Sequence, residues 1–449
     1  MGRLFGTDGV RGLANRDITA ELALDLGSSA ARVLTAHQAA GERRPRAVVG
    51  RDTRISGEFL SAAIAAGMAG AGVDVTDVGV LPTPGIAHLT ASTDVDLGVV
   101  ISASHNPMPD NGIKFFARGG YKLEDAVEDE IAAGLGAAWD RPVGADVGQI
   151  APGSSFAGRT YIDHLVAAAG QPFRGLRIAL DCANGAASDV APLALREAGA
   201  DVVVINASPD GRNINEKCGS THPEQLQAVT VASEAAFGVA YDGDADRCIA
   251  VDHTGTLIDG DQIMGLLATA MKEEGTLPDD TLVVTVMSNL GLLLAMKDAG
   301  IATVQTAVGD RYVLEAMRAG GYGLGGEQSG HIITTRHSTT GDGILTSLLL
   351  ASRVVATGRS LADLAAVVPR LPQVLVNVPD VDKARAGEDD GVADAVRQAE
   401  ERLGETGRVL LRPSGTEPLV RVMVEAATQD QAEDVAGGLA DVVKERLAL

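Results

Sequence analysis

Short runs of β-branched residues alternate with longer alanine- and leucine-rich segments of helical period along most of the chain. This alternation predicts parallel or mixed sheets that are covered by helices on both faces. The pattern starts near residue 46 and restarts near residues 177 and 281. The predicted elements are strands over 46–50, 97–101, 113–116, 177–181, 201–205, 237–241, 281–286, 303–306 and around 323, and helices over 59–71 and 125–135.

The chain changes character after residue 356, where shorter strands mix with charged helices. The pattern there predicts a small α+β unit of β-α-β-β-α order. Its predicted elements are strands near 374–378, 409–411 and 419–424, a helix over about 390–403 and a final helix from about 430. Two aperiodic segments earlier in the chain, 142–158 and 253–260, indicate domain boundaries.

Composition narrows the class of protein. A length of 449 residues allows two to four domains, and 45% hydrophobic against 22% charged residues is typical of a soluble globular protein. The net charge of −23 disfavours nucleic acid and membrane surfaces as partners, although a locally positive cleft can still bind a small anion. Three scattered cysteines, no secretory signal and no long apolar run favour a cytoplasmic protein.

The first loop with candidate chemistry follows the strand over 97–101 and reads Ser-Ala-Ser-His-Asn-Pro. Ser104, held by the Asn-Pro turn at the end of a buried strand, is a candidate nucleophile. Neighbouring side chains of an extended segment point in opposite directions, so we expect His105 to be a poor base for Ser104. Lys114 is better placed to move protons or to bind an oxyanion. A purely structural turn remains the alternative.

The second loop follows the strand over 237–241 and reads Asp-Gly-Asp-Ala-Asp-Arg. Residues at i, i+2 and i+4 of an extended stretch share a face, so Asp242, Asp244 and Asp246 should converge. Three carboxylates repel one another unless a cation lies between them. The spacing therefore predicts a Mg²⁺ site, with a solvated acidic turn as the alternative.

Two other acidic motifs resemble this loop and fit it less well. An EF-hand needs a glycine where the chain has Arg247 and a glutamate where it has His253. A phosphatase with an aspartate nucleophile would use Asp242, but its motif has threonine or valine at the position of Asp246.

The third loop places Glu327, Ser329 and His331 between glycines. These side chains offer acceptors and mixed hydrogen-bonding partners for sugar hydroxyls, although a structural turn explains the pattern equally well. The fourth loop reads Arg-Pro-Ser-Gly-Thr-Glu-Pro and predicts a phosphate-binding nest supported by arginine charge, with an ordinary turn that carries surface arginines as the alternative. The residues of that nest are Arg412, Ser414, Gly415, Thr416 and Arg421.

These four loops, in this order, resemble the motifs of the α-D-phosphohexomutase superfamily over essentially the whole chain. The stretches 5–12, 110–116 and 213–222, and glutamine at position 328, are similar to the branch that acts on glucosamine phosphates. Met108 and Pro109 depart from the usual motif behind Ser104. The resemblance implies an α/β protein with three α/β domains of mixed sheets and a smaller C-terminal α+β domain around a central cleft. The expected domains are 1–155, 156–255, 256–368 and 369–449.

The resemblance also implies a role for each matched residue. Ser104 would carry the phosphoryl group and, with Asp242, Asp244 and Asp246, would bind one Mg²⁺ per chain. Glu327 and Ser329 would bind the sugar hydroxyls. The remaining implied residues are Arg412, Ser414, Gly415, Thr416 and Arg421 for the non-reacting phosphate, and Arg11, Lys114, Arg247 and His331 for steadying the transferring phosphoryl group or moving protons.

The implied reaction interconverts glucosamine 6-phosphate and glucosamine 1-phosphate through phospho-Ser104 and a 1,6-bisphosphate, and supplies UDP-N-acetylglucosamine and cell-wall precursors. Glucose or glucosamine 1,6-bisphosphate would serve as activator, the partners would be small sugar phosphates, and a homodimer is allowed. Three alternatives stay open: a mutase of the same superfamily for mannose or glucose phosphates, an aspartyl-phosphate phosphatase, and a non-catalytic sugar-phosphate sensor.

Overall fold

A computed structural model describes residues 3–6, 8–36, 43–153, 156–413 and 419–449. Contacts divide the chain into two compact units. The first contains Met1–Met287 and Ile301–Val367, and the second contains Ser288–Gly300 and Val368–Leu449. Within the described residues, no helix combines the length and the apolar character that crossing a membrane requires.

The first sheet has seven strands and is formed by the N-terminal third of the chain. Its elements are β1 Val10–Leu13, α1 Ala20–Thr35, β2 Arg46–Arg51, α2 Gly57–Gly70, β3 Asp74–Val80, α3 Thr83–Ser92, β4 Leu97–Ile101, β5 Asp110–Ala117, β6 Tyr121–Lys122, α4 Asp125–Ala133 and β7 Ile150–Pro152. The strand order is β1-β5-β4-β2-β3-β7, and β6 pairs with β5. All five residues of β4 are buried, which explains its uninterrupted apolar sequence.

The second sheet has five strands in the order β12-β11-β10-β8-β9. Its elements are α5 Phe156–Ala169, β8 Arg177–Asp181, α6 Ala187–Glu197, β9 Asp201–Ile205, α7 Glu224–Ala232, β10 Phe237–Tyr241, β11 Cys248–Asp252 and β12 Leu257–Ile258. The predicted strands 177–181, 201–205 and 237–241 are confirmed at both ends. Strand β12 extends this sheet beyond residue 255, where the sequence analysis places the end of the second domain.

The third sheet has four strands in the order β14-β13-β15-β16. Its elements are α8 Gly260–Glu273, β13 Thr281–Thr285, β14 Ala302–Thr306, α10 Asp310–Gly320, β15 Leu324–Gly326, β16 Ile332–Thr334, α11 Gly343–Thr357 and α12 Leu361–Ala365. Helix α9 Leu290–Asp298 lies between β13 and β14 in the chain but belongs to the second compact unit.

The three sheets share one topology. Each contains a run of three parallel strands, in the orders β3-β2-β4, β9-β8-β10 and β14-β13-β15, followed by an antiparallel partner, β5, β11 or β16. In the first sheet, β7 adds a fourth parallel strand beside β3. The turn from the last parallel strand into that partner carries the first, second or third loop of the sequence analysis. The three loops are therefore equivalent positions of a repeated fold, at the carboxyl ends of parallel strands, where α/β sheets bind ligands.

The fourth sheet has three antiparallel strands in the order β17-β19-β18. Its elements are β17 Gln373–Pro379, α13 Asp390–Leu403, β18 Arg408–Pro413, β19 Leu419–Glu425 and α14 Gln429–Leu447. The predicted β-α-β-β-α order is confirmed. One core contains Val420, Val422 and Val424 of β19 together with Val435 and Leu439 of α14.

Candidate active site

The first three loops are in contact with one another in the first compact unit. Gly243 lies against the first loop, where a Cβ atom would come 2.6 Å from the carbonyl oxygen of Ser104. Gly330 has a φ of +88°, and a Cβ atom there would come 2.2 Å from the carbonyl oxygen of Cys248. The Cys248 N–H donates to the Gly330 carbonyl at 3.0 Å. Glycine is needed at both positions because the loops approach backbone to backbone.

Ser104 is buried and its hydroxyl points to the second loop. Its Oγ donates to Asp242 Oδ2 at 2.5 Å and lies 3.3 Å from His105 Nδ1. The expectation that His105 points away is wrong, because Ser104 has a left-handed φ of +53° instead of an extended backbone. Burial and the positive charges of Arg247 and Arg11 lower the pKa of His105 to about 4. The imidazole is therefore neutral at physiological pH.

Asp242, Asp244 and Asp246 converge as predicted. They are buried, and one carboxylate oxygen from each lies within 4.8 Å of the others. The geometric reason differs from the expected one, since Ala245 has a φ of +58° and the segment is a turn. Within the described part of the chain, Oδ1 of Asp244 and Oδ1 of Asp246 have no hydrogen-bond partner. Burial raises the pKa of Asp242, and the charges of Asp246 and Asp244 raise it further.

These properties make the three aspartates a suitable metal site. Carboxylate oxygens are the ligands that hard divalent cations such as Mg²⁺ prefer. A cation here would neutralise the mutual repulsion of the carboxylates and would use buried oxygens that lack a hydrogen bond.

Lys114 and Arg11 bring positive charge to the same place. Lys114 Nζ donates to Asp244 Oδ2 at 2.9 Å, and it lies 2.8 Å from Asp8 Oδ2 and 3.7 Å from Asp246 Oδ2. Burial opposes the charge of Lys114, but these carboxylates raise its pKa above the ordinary value. Arg11 contacts Asp8, and its buried Nε has no hydrogen-bond partner in the described residues.

Arg247 and His331 also lie beside the aspartate triad, Asp242, Asp244 and Asp246. The Arg247 backbone N–H donates to Asp242 Oδ1 at 3.2 Å, and its side-chain Nε is 4.0 Å from Asp246 Oδ1. His331 Nδ1 lies 3.6 Å from Asp246 Oδ2, and its Nε2 accepts a hydrogen bond from Gly341 N–H at 3.1 Å. The first two loops, the third loop and Lys114 of β5 thus supply one buried cluster of mixed charge.

Glu327 and Ser329 occupy the turn between β15 and β16. Glu327 is half-buried, and its Oε1 accepts a hydrogen bond from Gly309 N–H at 3.0 Å. Ser329 is exposed, and Gln328 Nε2 donates to Asp259 Oδ2 at 3.4 Å. The hydroxyl of Ser329 is therefore accessible, whereas the carboxylate of Glu327 is held in place by a backbone N–H.

Arg412 and Arg421 stand directly opposite each other on strands β18 and β19 of the second unit. Two like charges in cross-strand register destabilise a sheet unless an anion lies between or beside them. The other residues predicted for this phosphate nest, Ser414, Gly415 and Thr416, lie outside the described residues.

Several polar residues outside the four sequence motifs support this cluster. Thr83 at the start of α3 donates from Oγ1 to Asp244 Oδ2 at 2.6 Å. Asp8 contacts Lys114 and also Lys122, whose Nζ is 2.6 Å from Asp8 Oδ1. Lys122 also contacts Asp310 at the start of α10. Asp8 lies in the stretch 5–12 noted for its resemblance, but its partners are distant in sequence.

Comparison with known protein families identifies the class. The phosphoglucomutase/phosphomannomutase models match along the chain: alpha/beta/alpha domain I at residues 2–138, domain II at 159–255, domain III at 259–371 and the C-terminal domain at 375–442. The chain belongs to this family, which is the superfamily expected from its four loops.

Within the family, the chain is similar to proteins named phosphoglucosamine mutase. The one from Bifidobacterium longum subsp. infantis is 62% identical, and the one from Bifidobacterium animalis subsp. lactis is 63% identical, with full coverage of both chains in each case. A solved structure of a phosphoglucomutase/phosphomannomutase family protein from Burkholderia thailandensis superposes with a TM-score of 0.82 at 23% identity, covering 99% of this chain and 97% of the other. That likeness concerns the fold.

Proposed function

We propose that this chain interconverts glucosamine 6-phosphate and glucosamine 1-phosphate through a phosphorylated Ser104. The observation that carries the proposal is the buried Ser104 hydroxyl, directed at the aspartate triad in a cluster that also contains Arg11, Lys114 and Arg247. Close relatives named for this activity support the choice of sugar. The product would feed UDP-N-acetylglucosamine and cell-wall precursor synthesis.

In the first half-reaction, a sugar hydroxyl oxygen forms a bond to the phosphorus while the bond between phosphorus and Ser104 Oγ breaks. A neighbouring base takes the proton of the sugar hydroxyl, and a neighbouring acid gives a proton to Ser104 Oγ, so Ser104 ends as a hydroxyl. The resulting 1,6-bisphosphate turns end over end, and Ser104 then accepts the phosphoryl group from the other end. Positioning and charge neutralisation dominate such transfers.

The charged residues around Ser104 fall into two groups, those that can only stabilise negative charge and those that can also move a proton. Arg11 and Arg247 cannot give up a proton, so they would stabilise charge on the phosphoryl oxygens, and each has a buried Nε with no hydrogen-bond partner among the described residues. Lys114 and His331 are the candidates for moving protons. One Mg²⁺ held by Asp242, Asp244, Asp246 and the phosphoryl group on Ser104 would supply charge neutralisation.

The remaining assignments concern the sugar and its second phosphate. We propose that Glu327 and Ser329 bind sugar hydroxyls and that Arg412 and Arg421, with residues 414–416, bind the phosphate that is not being transferred. We propose four domains with boundaries near residues 155, 255 and 368, and each of them carries one of the four loops. Glucose or glucosamine 1,6-bisphosphate would load Ser104 at the start.

The test compares substrates on one preparation of the full chain. Glucosamine 6-phosphate should give a higher kcat/KM than the phosphates of glucose and mannose. Intact-mass measurement should show one phosphoryl group after incubation with glucose 1,6-bisphosphate, and its loss after phosphatase treatment. Preference for a mannose or glucose phosphate would favour the alternative mutase. Release of inorganic phosphate with a label on Asp242 would favour an aspartyl-phosphate phosphatase.

Arg421 gives a separate prediction about binding. Replacing Arg421 with alanine should raise KM about 10- to 100-fold with little change in kcat, because a charge-assisted hydrogen bond worth about 1.5–3 kcal/mol is lost in the ground state and transition state alike. Steady-state kinetics with glucosamine 6-phosphate would measure this. The control is Arg402→Ala, which removes an exposed arginine paired with Asp434 in the same unit. A large fall in kcat at constant KM would contradict a binding role.

A further inference from the structure

Arg54 lies directly behind the Ser104 loop, at the carboxyl end of strand β2. Its side chain and that of its partner Asp52 are fully buried. All five N–H donors of a guanidinium find acceptors here. The bonds are Nε to Asp52 Oδ2 at 2.9 Å, Nη1 to the carbonyls of Pro107 at 2.5 Å and Asp110 at 3.0 Å, and Nη2 to the carbonyls of Ser104 at 3.1 Å and Asn106 at 2.8 Å.

Asp52, the partner of Arg54, is also linked through Ser102 to the backbone N–H of Ser104. Asp52 Oδ2 also accepts a hydrogen bond from Ser102 Oγ at 2.6 Å, and Ser102 Oγ accepts one from the Ser104 N–H at 2.9 Å. On the other side, Asn215 Nδ2 donates to the carbonyl of Ser104 at 2.9 Å. Both backbone polar groups of Ser104 are therefore bonded to side chains that are themselves fixed.

This arrangement matters because Ser104 is a non-glycine residue in the left-handed region, with a φ of +53°. Such a conformation is costly for a residue with a Cβ atom and persists only where the surroundings enforce it. The direction of the Ser104 Cα–Cβ bond, and thus of Oγ toward Asp242, follows from that backbone conformation. A loop free to relax to an ordinary φ would turn the hydroxyl away from the triad.

We infer that Arg54 is a positioning residue for phosphoryl transfer, which fixes the Ser104 backbone so that Oγ stays aligned with the triad. This inference rests on the proposed function. Arg54 touches neither the sugar nor the transferring group in this scheme, so its loss should lower kcat and leave KM almost unchanged. Lysine cannot replace it, because one ammonium group with three donors cannot reach four carbonyls and a carboxylate in this planar arrangement.

The experiment uses Arg54→Lys in the full chain, with thermal unfolding measured first to confirm a folded protein. We expect kcat to fall about 100-fold, as a displacement of about 1 Å at a reacting atom produces, with KM within about threefold of wild type. Phosphorylation of Ser104 by glucose 1,6-bisphosphate, followed by intact mass, should slow by a similar factor. In Arg54→Ala, millimolar guanidinium should restore part of kcat.

The matched control is Arg43→Gln, which breaks another arginine–aspartate contact beside the same sheet, just before strands β2 and β4. Arg43 Nη1 lies 2.7 Å from Asp96 Oδ2 at the amino end of the strands, far along β4 from Ser104. Its kinetic constants should stay within about twofold of wild type. If Arg54→Lys fails to fold, Ser102→Ala decides the question, since it removes only the hydroxyl that holds the Ser104 N–H and should lower kcat about 10-fold.

Four results would overturn the inference. A folded Arg54→Lys protein with wild-type kcat would show that the alignment does not depend on Arg54. Where Arg54→Lys cannot fold, a wild-type kcat in Ser102→Ala would show that loosening the Ser104 backbone does not slow the transfer, and the reason for assigning this role to Arg54 would be gone. A rise in KM with constant kcat would indicate a substrate-binding role instead. A wild-type chain that neither turns over glucosamine 6-phosphate nor accepts a phosphoryl group on Ser104 would refute the proposed function first, and this inference with it.

Discussion

Replacing Ser104 with alanine should reduce turnover of glucosamine 6-phosphate by at least about 10⁴-fold, because the group that stores the phosphoryl between the two half-reactions is removed. The chain should still fold, since the substitution deletes a single hydroxyl. Its hydrogen bond to Asp242 is lost, but alanine fits the space. Coupled assay of glucosamine 1-phosphate formation measures the rate, and intact mass after incubation with glucose 1,6-bisphosphate measures the label.

Ser61→Ala is the matched control for this experiment. Ser61 is another buried serine of the first domain, and its Oγ has no hydrogen-bond partner in the described part of the chain. Removing that hydroxyl should change neither turnover nor phosphoryl content. A phosphoryl group that still attaches to Ser104→Ala would place the acceptor elsewhere. Full activity without a covalent phosphoryl group would exclude the storage step altogether.

The sequence predicts the sheets well where a strand is short, apolar and closely bounded by polar residues or glycine. Strand 97–101 is followed directly by Ser102 and strand 237–241 by Asp242, and both strands are confirmed at each end. The predicted helix 59–71 begins two residues earlier in the structure, at Gly57. The prediction starts at Phe59 because that is the first apolar residue of the periodic pattern. The short strands β1, β6, β7 and β12 carry too few residues to show any period.

The site is predictable in its chemistry and less so in its geometry. The three aspartates and Ser104 follow from motif and spacing, but the reasoning from an extended backbone fails at both loops. Ser104 and Ala245 adopt left-handed conformations that no local pattern requires, and these depend on contacts made by distant residues. The sequence therefore predicts the charged residues of the motif loops in this cluster, but it predicts the wrong direction for the His105 side chain relative to Ser104.

The position of Arg54 beside the Ser104 loop follows from the strand topology. The Asp-Thr-Arg segment directly follows β2, and β2 pairs in parallel with β4 up to the register of Arg51 with Ile101. Residues after these two strands must therefore lie side by side. Asn215 offers no such signal, because it follows β9 by several residues in a loop of the second domain, and only the tertiary structure brings it to the carbonyl of Ser104.

Removing the charge of one triad carboxylate should have opposite effects on the metal-free and the magnesium-loaded protein. Burial, then the charges of Asp246 and Asp244, raise the pKa of Asp242, so its ionised form destabilises the metal-free fold at neutral pH. Asp242→Asn removes that repulsion, and the chelator-treated variant should unfold at a higher temperature than chelator-treated wild type.

Magnesium should reverse this order. An ion that binds only the folded state stabilises it by about 2.7 kcal/mol at 100 times its Kd, so wild type should gain several degrees in unfolding temperature and Asp242→Asn almost none. Turnover of the variant should fall at least about 10²-fold, because neutralisation of the phosphoryl charge is lost. Thermal unfolding with and without Mg²⁺, beside kinetics, measures both effects.

Asp252→Asn is the control for the charge itself. Asp252 is a buried aspartate at the end of β11 whose Oδ1 accepts hydrogen bonds from the N–H groups of Thr254 and Thr256, and asparagine retains that acceptor. It should keep both the magnesium response and the activity. An equal magnesium-dependent rise in Asp242→Asn and wild type would mean that the ion stabilises the protein from another site, and the triad would then need a different counter-charge.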